Sequence, residues 1–97
     1  MVKYALLARV EAKPGKENDV EQFLKSALIL AQDEEETISW YALKLSSSTF
    51  GIFDTFDDEE GREAHLSGKI AAALMEHAEE LLVKPPVIEK VELLAVK

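Results

Sequence analysis

The apolar residues change their spacing along this chain, and that change constrains the fold more than any other feature of the sequence. Between about residues 17 and 32 they recur every three or four positions, which places them on one stripe of a helix. The stripe consists of Val20, Phe23, Leu24, Ala27, Leu28 and Ala31. We predict one helix here, ending in the acidic run of residues 33–36.

Four other segments have the composition of β-strands, because they are rich in β-branched and aromatic residues. They are residues 4–11, 38–45, 49–56 and 87–96. Pro14-Gly15 breaks the chain after the first segment, since Pro lacks an N–H and Gly tolerates positive φ. Only Ser46-Ser47-Ser48 separates the second and third segments, so these two should form an antiparallel hairpin.

A second helical region follows the third strand. Asp57 is the predicted N-cap, with Glu60 three residues later completing a capping box, and Ser67-Gly68 should divide the region into a short and a longer helix. The longer helix carries its apolar residues on one face and ends before Pro85-Pro86. The order is therefore β-α-β-β-α-β, which predicts a single α+β domain over residues 1–97 with a ferredoxin-like antiparallel sheet.

The predicted strands do not alternate between apolar and polar residues. Apolar residues stand at even-numbered and at odd-numbered positions, as in Leu6 and Leu7 of the first strand or Ile52 and Phe53 of the third. Helices of one chain cover only one face of such a sheet, and the other face would expose a large apolar patch. We therefore expect a homodimer packed sheet to sheet about a two-fold axis. In the alternative, flanking residues of the same chain cover part of the second face.

Charge and composition exclude several classes of partner. The 97 residues include 11 Lys and Arg against 19 Asp and Glu, a net charge of −8, which disfavours binding to nucleic acid or to an anionic membrane. The absence of cysteine excludes disulfides and thiolate chemistry. No segment approaches the roughly 18 apolar residues of a membrane span, and no signal peptide is recognisable, so a cytoplasmic protein is expected.

Three sequence features resemble the antibiotic biosynthesis monooxygenase (ABM) family of dimeric α+β barrels. They are the stretch Val10-Glu11-Ala12-Lys13-Pro14-Gly15-Lys16-Glu17, the strand Phe53-Asp54-Thr55-Phe56, and His65 nine residues after Phe56. The resemblance covers nearly the whole chain. It implies a cleft between sheet and helices in each subunit. Several members of the family oxidise phenols or quinols with O₂ without a metal or bound cofactor, and others act on haem or on small carbonyl compounds.

His65 is the candidate catalytic residue. A histidine can take or give a proton near neutral pH, and metal-free oxygenation of a phenol needs a base that forms the phenolate. The competing interpretation is a structural histidine that orients the short helix through hydrogen bonds.

Four aromatic residues are candidates for a substrate-binding pocket: Trp40, Phe50, Phe53 and Phe56. Their flat rings suit an aromatic small-molecule substrate, but large aromatic residues also commonly fill a core or a dimer interface. Arg9 interrupts an apolar strand, and we expect it to pair with Asp54. His77, the second histidine, should be a packing residue at the edge of its helix. With two isolated histidines and no cysteine, no metal site and no cofactor is expected.

The resemblance disfavours haem degradation. That branch of the family has a Trp where this chain has His65, a His where it has Met75, and an Asn on the first strand, which this strand lacks. Two classes of function remain. One is a cofactor-independent monooxygenase, or an isomerase-like relative, acting on a small phenolic, quinol or carbonyl compound. The other is a non-catalytic dimeric module that binds a small ligand.

Overall fold

In the computed structural model, which describes residues 2–97, four strands and four helices follow one another in the predicted order. The strands are β1 (Tyr4–Glu11), β2 (Thr37–Lys44), β3 (Thr49–Phe56) and β4 (Val87–Glu92). The helices are α1 (Glu17–Ser26), α2 (Leu28–Gln32), α3 (Glu59–Leu66) and α4 (Lys69–Leu81). The α+β class and the ferredoxin-like arrangement are confirmed.

The four strands form one antiparallel sheet in the order β2-β3-β1-β4. In the register of β1 with β3, Leu6 lies opposite Asp54 and Ala8 opposite Ile52. On the other side of β3, Trp40 lies opposite Asp54. Because side chains alternate along a strand, these residues all point to the same face of the sheet.

The hydrophobic core lies between that face and the helices. Val10, Phe50 and Ile52 of the sheet pack against Leu24 of α1 and Leu74 of α4. We call this the inner face, and the opposite one the outer face. The outer face carries mostly apolar side chains that are half-buried or exposed in the single chain. They are Leu7, Tyr41, Leu43, Phe53, Val87 and Val91.

Several predicted boundaries differ from the structure, among them that of β2, which was expected over residues 38–45 and runs over Thr37–Lys44. The first helical region is broken at Ala27, so one stripe of apolar residues serves two consecutive helices. The N-cap of α3 is Asp58, whose carboxylate accepts a hydrogen bond from the Gly61 N–H at 2.8 Å, and Asp57 precedes it. β4 ends at Glu92, opposite Tyr4, which is the first residue of β1, and a single further backbone hydrogen bond follows it, from the Leu93 N–H to the Lys3 carbonyl.

None of the helices within residues 2–97 is long and apolar enough to cross a membrane. The expected cytoplasmic location, and the expected absence of nucleic-acid and membrane partners, stay predictions.

Candidate functional site

Asp54 is a charged residue at the centre of the sheet. It lies in the middle of β3, on the inner face, between Leu6 of β1 and Trp40 of β2. Only 1% of its surface is exposed. A carboxylate removed from water in this way needs a counter-charge or hydrogen-bond donors, and these must come from the helices that cover the inner face.

His65 supplies that counter-charge from the last turn of α3. Its Nε2 lies 2.9 Å from Asp54 Oδ2, and its side chain is 8% exposed. The C-terminal end of a helix favours a positive charge, so this position suits an imidazolium. The ring also packs against Phe56, with 5.5 Å between ring centroids, which fixes its orientation from the sheet side.

The other ring nitrogen of His65 contacts a second carboxylate. Its Nδ1 lies 2.6 Å from Glu34 Oε1. Glu34 belongs to the turn between α2 and β2, where its N–H donates to the Ala31 carbonyl. Its Oε1 also accepts a hydrogen bond from the Thr37 hydroxyl at 2.8 Å. Glu34 is therefore held in place from both ends of the turn.

Gly68 provides the space that Glu34 occupies. A Cβ atom at this position would lie 3.2 Å from Glu34 Oε2 and 3.3 Å from the His65 carbonyl oxygen. A side chain there would push the carboxylate away from the ring. The Ser67-Gly68 break between α3 and α4 thus serves the site as well as the turn.

Two opposing effects act on the pKa of His65. Burial disfavours the charged ring and lowers the pKa, but the contacts with Asp54 and then with Glu34 outweigh it. The net result is a pKa raised above its ordinary value of 6.5. The two carboxylates thus favour the imidazolium, with a hydrogen on each nitrogen, over the neutral ring.

Within residues 2–97, Oδ1 of Asp54 has no hydrogen-bond partner, and Oδ2 has the ion-pair contact with His65. The indole N–H of Trp40, which lies directly opposite Asp54 in the sheet, is also buried without a partner in the described part of the chain. Buried polar groups are nearly always paired with protein, water or ligand, so the unsatisfied Oδ1 of Asp54 marks a place for a further polar group.

A cavity of about 110 Å³ lies beside Asp54 and His65, between the inner face of the sheet and α4. Apart from these two residues its walls are apolar side chains. They are Leu6, Ala8, Ile52, Leu66, Ile70, Ala71, Leu74, Met75 and Ile88. An apolar cavity of about 150 Å³ accommodates one benzene ring, so this smaller cavity holds at most a single small ring or a comparable carbonyl compound.

The opposite side of His65 faces an open, acidic groove of about 580 Å³. It lies between the α2–β2 turn and the helices α3 and α4. Its charged residues are Asp33, Glu34, Glu35, Glu36 and Lys69. His65 lines both the groove and the cavity, and so it lies between the two spaces.

The structure brings some of the predicted site residues together and separates others. Phe56 contacts the His65 ring, whereas Phe50 and Trp40 pack in the core beside the cavity without lining it. Phe53 lies on the outer face, away from His65. Alternation along β3 already separates Phe53 from Phe50 and Phe56. The roles of these residues in binding stay predictions.

The predicted ion pair between Arg9 and Asp54 is wrong. Arg9 is exposed on the outer face, opposite Gly51, whereas Asp54 is buried on the inner face. Arg9 points to the same face as Gly51, and Asp54 lies three residues further along β3. Because side chains alternate along a strand, Arg9 and Asp54 point to opposite sides of the sheet. Asp54 pairs with His65 instead.

The sequence reasoning missed Glu34, which it treated as part of a helix-ending acidic run. No periodicity distinguishes it from its acidic neighbours, because a turn brings it to His65. His77 packs at the helix edge against Phe23, with ring centroids 5.3 Å apart. Across residues 2–97, no group of three or more acidic or histidine side chains is placed to hold a metal ion.

Comparison with known proteins identifies a relative with a similar sequence, and more distant structures that share the fold. A solved structure from Nitrosomonas europaea, the protein NE2512 of unknown function, is 61% identical to this chain. The match covers 100% of this chain and 94% of that one, with a TM-score of 0.98. No protein-family model and no curated protein matches the chain.

More distant structures share the fold. A second Nitrosomonas europaea protein, provisionally described as an antibiotic biosynthesis monooxygenase, has a TM-score of 0.82 at 11% identity, covering 95% of this chain and 90% of that one. A Deinococcus radiodurans protein with the same provisional description has a TM-score of 0.82 at 13% identity, covering 97% and 95%. At such identities the likeness shows the fold, and the chemistry has to be argued from the site.

Proposed function

Because the chain belongs to one family with NE2512 and has the fold of the antibiotic biosynthesis monooxygenases, we propose that it is a cofactor-independent monooxygenase acting on a single-ring phenol or quinol. The observation that carries the proposal is Asp54, a buried carboxylate that lines an apolar cavity and whose Oδ1 has no hydrogen-bond partner among residues 2–97. A phenolic O–H entering the cavity provides the missing donor.

The proton acceptor in this proposal is Asp54, with His65 acting through it. Both ring nitrogens of His65 already face carboxylates, and these contacts raise the pKa of the ring, so it offers a substrate no unoccupied nitrogen. The imidazolium supplies the positive charge that stabilises the buried anion, whether this is Asp54 before the proton transfer or the phenolate after it.

The proposed reaction balances for hydroquinone as substrate. Asp54 takes a phenolic proton, the phenolate gives one electron to O₂, and the resulting radical and superoxide combine at a ring carbon. The peroxide then takes up the proton and loses water. The sum is C₆H₆O₂ + O₂ → C₆H₄O₃ + H₂O, in which one oxygen atom enters the product, a hydroxybenzoquinone, and the other leaves as water.

Oxygen labelling tests the proposed reaction. We expect hydroquinone to consume O₂ faster with the protein than without it. Under ¹⁸O₂ the product should be a hydroxybenzoquinone carrying one ¹⁸O atom, with no hydrogen peroxide formed. Unlabelled benzoquinone with an equal amount of peroxide would indicate an oxidase, and no uptake above the protein-free rate would contradict the proposal.

One observation favours a second candidate function, a non-catalytic binding module. The three groups Glu34, His65 and Asp54 already neutralise one another in part, as they would in a structural network that only stiffens the fold. In that case a small phenol binds in the cavity and is released unchanged. Binding without oxygen uptake would distinguish this candidate, and conversion of a carbonyl substrate to an isomer would indicate an isomerase-like relative.

The homodimer is part of the proposal, with a second copy of the chain as the partner of the outer face. This face holds the half-buried Leu7 and Phe53, the exposed Tyr41, and charges of both signs in Arg9 and Glu89. An apolar patch that carries both signs of charge is self-complementary about a two-fold axis. The helices and the cavity lie on the other side of the sheet, so each subunit keeps its own site.

A further inference from the structure

Glu34 lies outside the cavity but contacts His65, the residue that pairs with Asp54 inside it. Its carboxylate lies in the open groove, with 21% of the side chain exposed, and Glu34 does not line the cavity. His65 lies between the two spaces, and its two nitrogens face Glu34 and Asp54.

We propose that Glu34 is a positioning residue that acts through His65 on Asp54, so that a solvent-facing carboxylate sets the charge and orientation of the proton acceptor inside the cavity. The inference rests on the proposed function for the identity of that acceptor. Its structural basis is the chain of contacts itself: 2.6 Å from Glu34 to Nδ1 and 2.9 Å from Nε2 to Asp54.

The orientation of the imidazole ring depends on Glu34. A ring that is held at one nitrogen by a fixed acceptor presents its other nitrogen in a defined direction. Thr37 and the backbone of the turn fix Glu34, and Phe56 packs against the ring. The position of Nε2 beside Asp54 is therefore set from the groove side.

The charge of the ring depends on Glu34 as well. An imidazolium that is 8% exposed is costly unless both of its N–H groups are compensated. Without the Glu34 carboxylate, Asp54 alone compensates the ring, so the neutral imidazole becomes more stable relative to the imidazolium. Asp54 then loses the cation that compensates it inside the apolar cavity. The other charged groups that face this region are Asp33, Glu35, Glu36 and Lys69 in the groove, none of which forms an ion pair with His65.

Glu34→Gln is the variant that tests this inference, with Glu35→Gln as its matched control. Glu35 is exposed and lines the same groove, but it does not contact His65. Its substitution by Gln removes the same charge as Glu34→Gln. Glu34→Asp serves as the conservative variant, because it keeps the carboxylate and shortens its reach.

The first readout is the titration of His65, followed by NMR of its ring on the ligand-free protein. The midpoint should move to lower pH in Glu34→Gln, move less in Glu34→Asp, and stay at the wild-type value in Glu35→Gln. An unchanged midpoint in a folded Glu34→Gln variant would overturn the inference. The titration needs no substrate, so it tests the effect of Glu34 on His65 even if the protein does not oxidise hydroquinone.

The second readout is the turnover of hydroquinone. We expect kcat to fall about 10-fold or more in Glu34→Gln, as for outer partners that orient a histidine, while KM changes little because Glu34 does not touch the cavity. The pH dependence of kcat should shift to lower pH together with the His65 titration. A lowered midpoint with unchanged kcat and pH profile would also overturn the inference. If the wild type shows no turnover, the proposed function fails, and the titration alone then supports or overturns the role of Glu34.

Discussion

Asp54→Asn is expected to slow the oxidation of hydroquinone by about 10²-fold or more, as is usual when a general base is lost. An amide has nearly the shape of the carboxylate, so it fills the same space beside Leu6 and Trp40. It takes up no proton, however, and it gives the cavity no negative charge. The measurement is O₂ uptake against the protein-free rate, with the fold of the variant checked by circular dichroism and thermal unfolding.

Asp57→Asn is the matched control for this prediction. Asp57 is exposed just beyond the end of β3 and forms no ion pair among the residues that the structure describes. The same change of charge should therefore leave turnover at the wild-type rate. If a folded Asp54→Asn protein oxidised hydroquinone as fast as the wild type, Asp54 would have no part in the reaction.

Phe53→Asp is expected to dissociate the proposed homodimer. By symmetry, each copy would place one uncompensated carboxylate in an apolar interface, at a cost of at least about 3 kcal/mol, or roughly a 10²-fold weaker dimer. In sedimentation at micromolar concentration, the wild type should have twice the 10.8 kDa mass of the chain, in low and in moderate salt. The variant should sediment as the monomer.

Ile29→Asp is the control for the dimer. Ile29 is 69% exposed on α2, which packs on the inner side of the sheet, so a charge there should leave the dimer intact. A wild-type protein that sediments as a 10.8 kDa monomer would contradict the dimer. So would a dimer that Ile29→Asp dissociates and Phe53→Asp does not.

The order of strands and helices followed from local patterns in the sequence. Strand composition located β1 and β3 with the bounds that the structure has, and the three-residue Ser turn required the β2–β3 hairpin. Helix ends were less predictable. The break at Ala27 interrupts a stripe that stays in phase, since an αR residue continues the helical turn closely enough to keep the same face buried.

The site was predictable only in part, because it joins three segments that are distant in sequence. His65 was recognisable as a lone titratable group after an aromatic strand. Its partners, Asp54 and Glu34, are 11 and 31 residues away along the chain, and each of them resembles any other acidic residue. The error over Arg9 has the same origin: the sequence showed two opposite charges in strands, but only the register of β1 with β3 places them on opposite faces.

Alternation along β3, by contrast, contains more information about Asp54 than the sequence prediction used. Positions 50, 52, 54 and 56 of β3 share a face, so Asp54 belongs with the core residues Phe50, Ile52 and Phe56. A charged residue at a core position of a central strand is itself a signal of function, since it has to be compensated. That signal would have directed the search for a partner to the helices.

The cavity beside Asp54 is proposed to hold a small ring whose hydroxyl donates to this carboxylate. A crystal structure of the wild-type protein with phenol, determined without oxygen, tests this proposal most directly. We predict a ring between the inner face of the sheet and α4, with its hydroxyl oxygen about 2.5–3.0 Å from an oxygen of Asp54. An empty cavity at a saturating concentration of phenol, or a ring whose hydroxyl points away from Asp54, would contradict it.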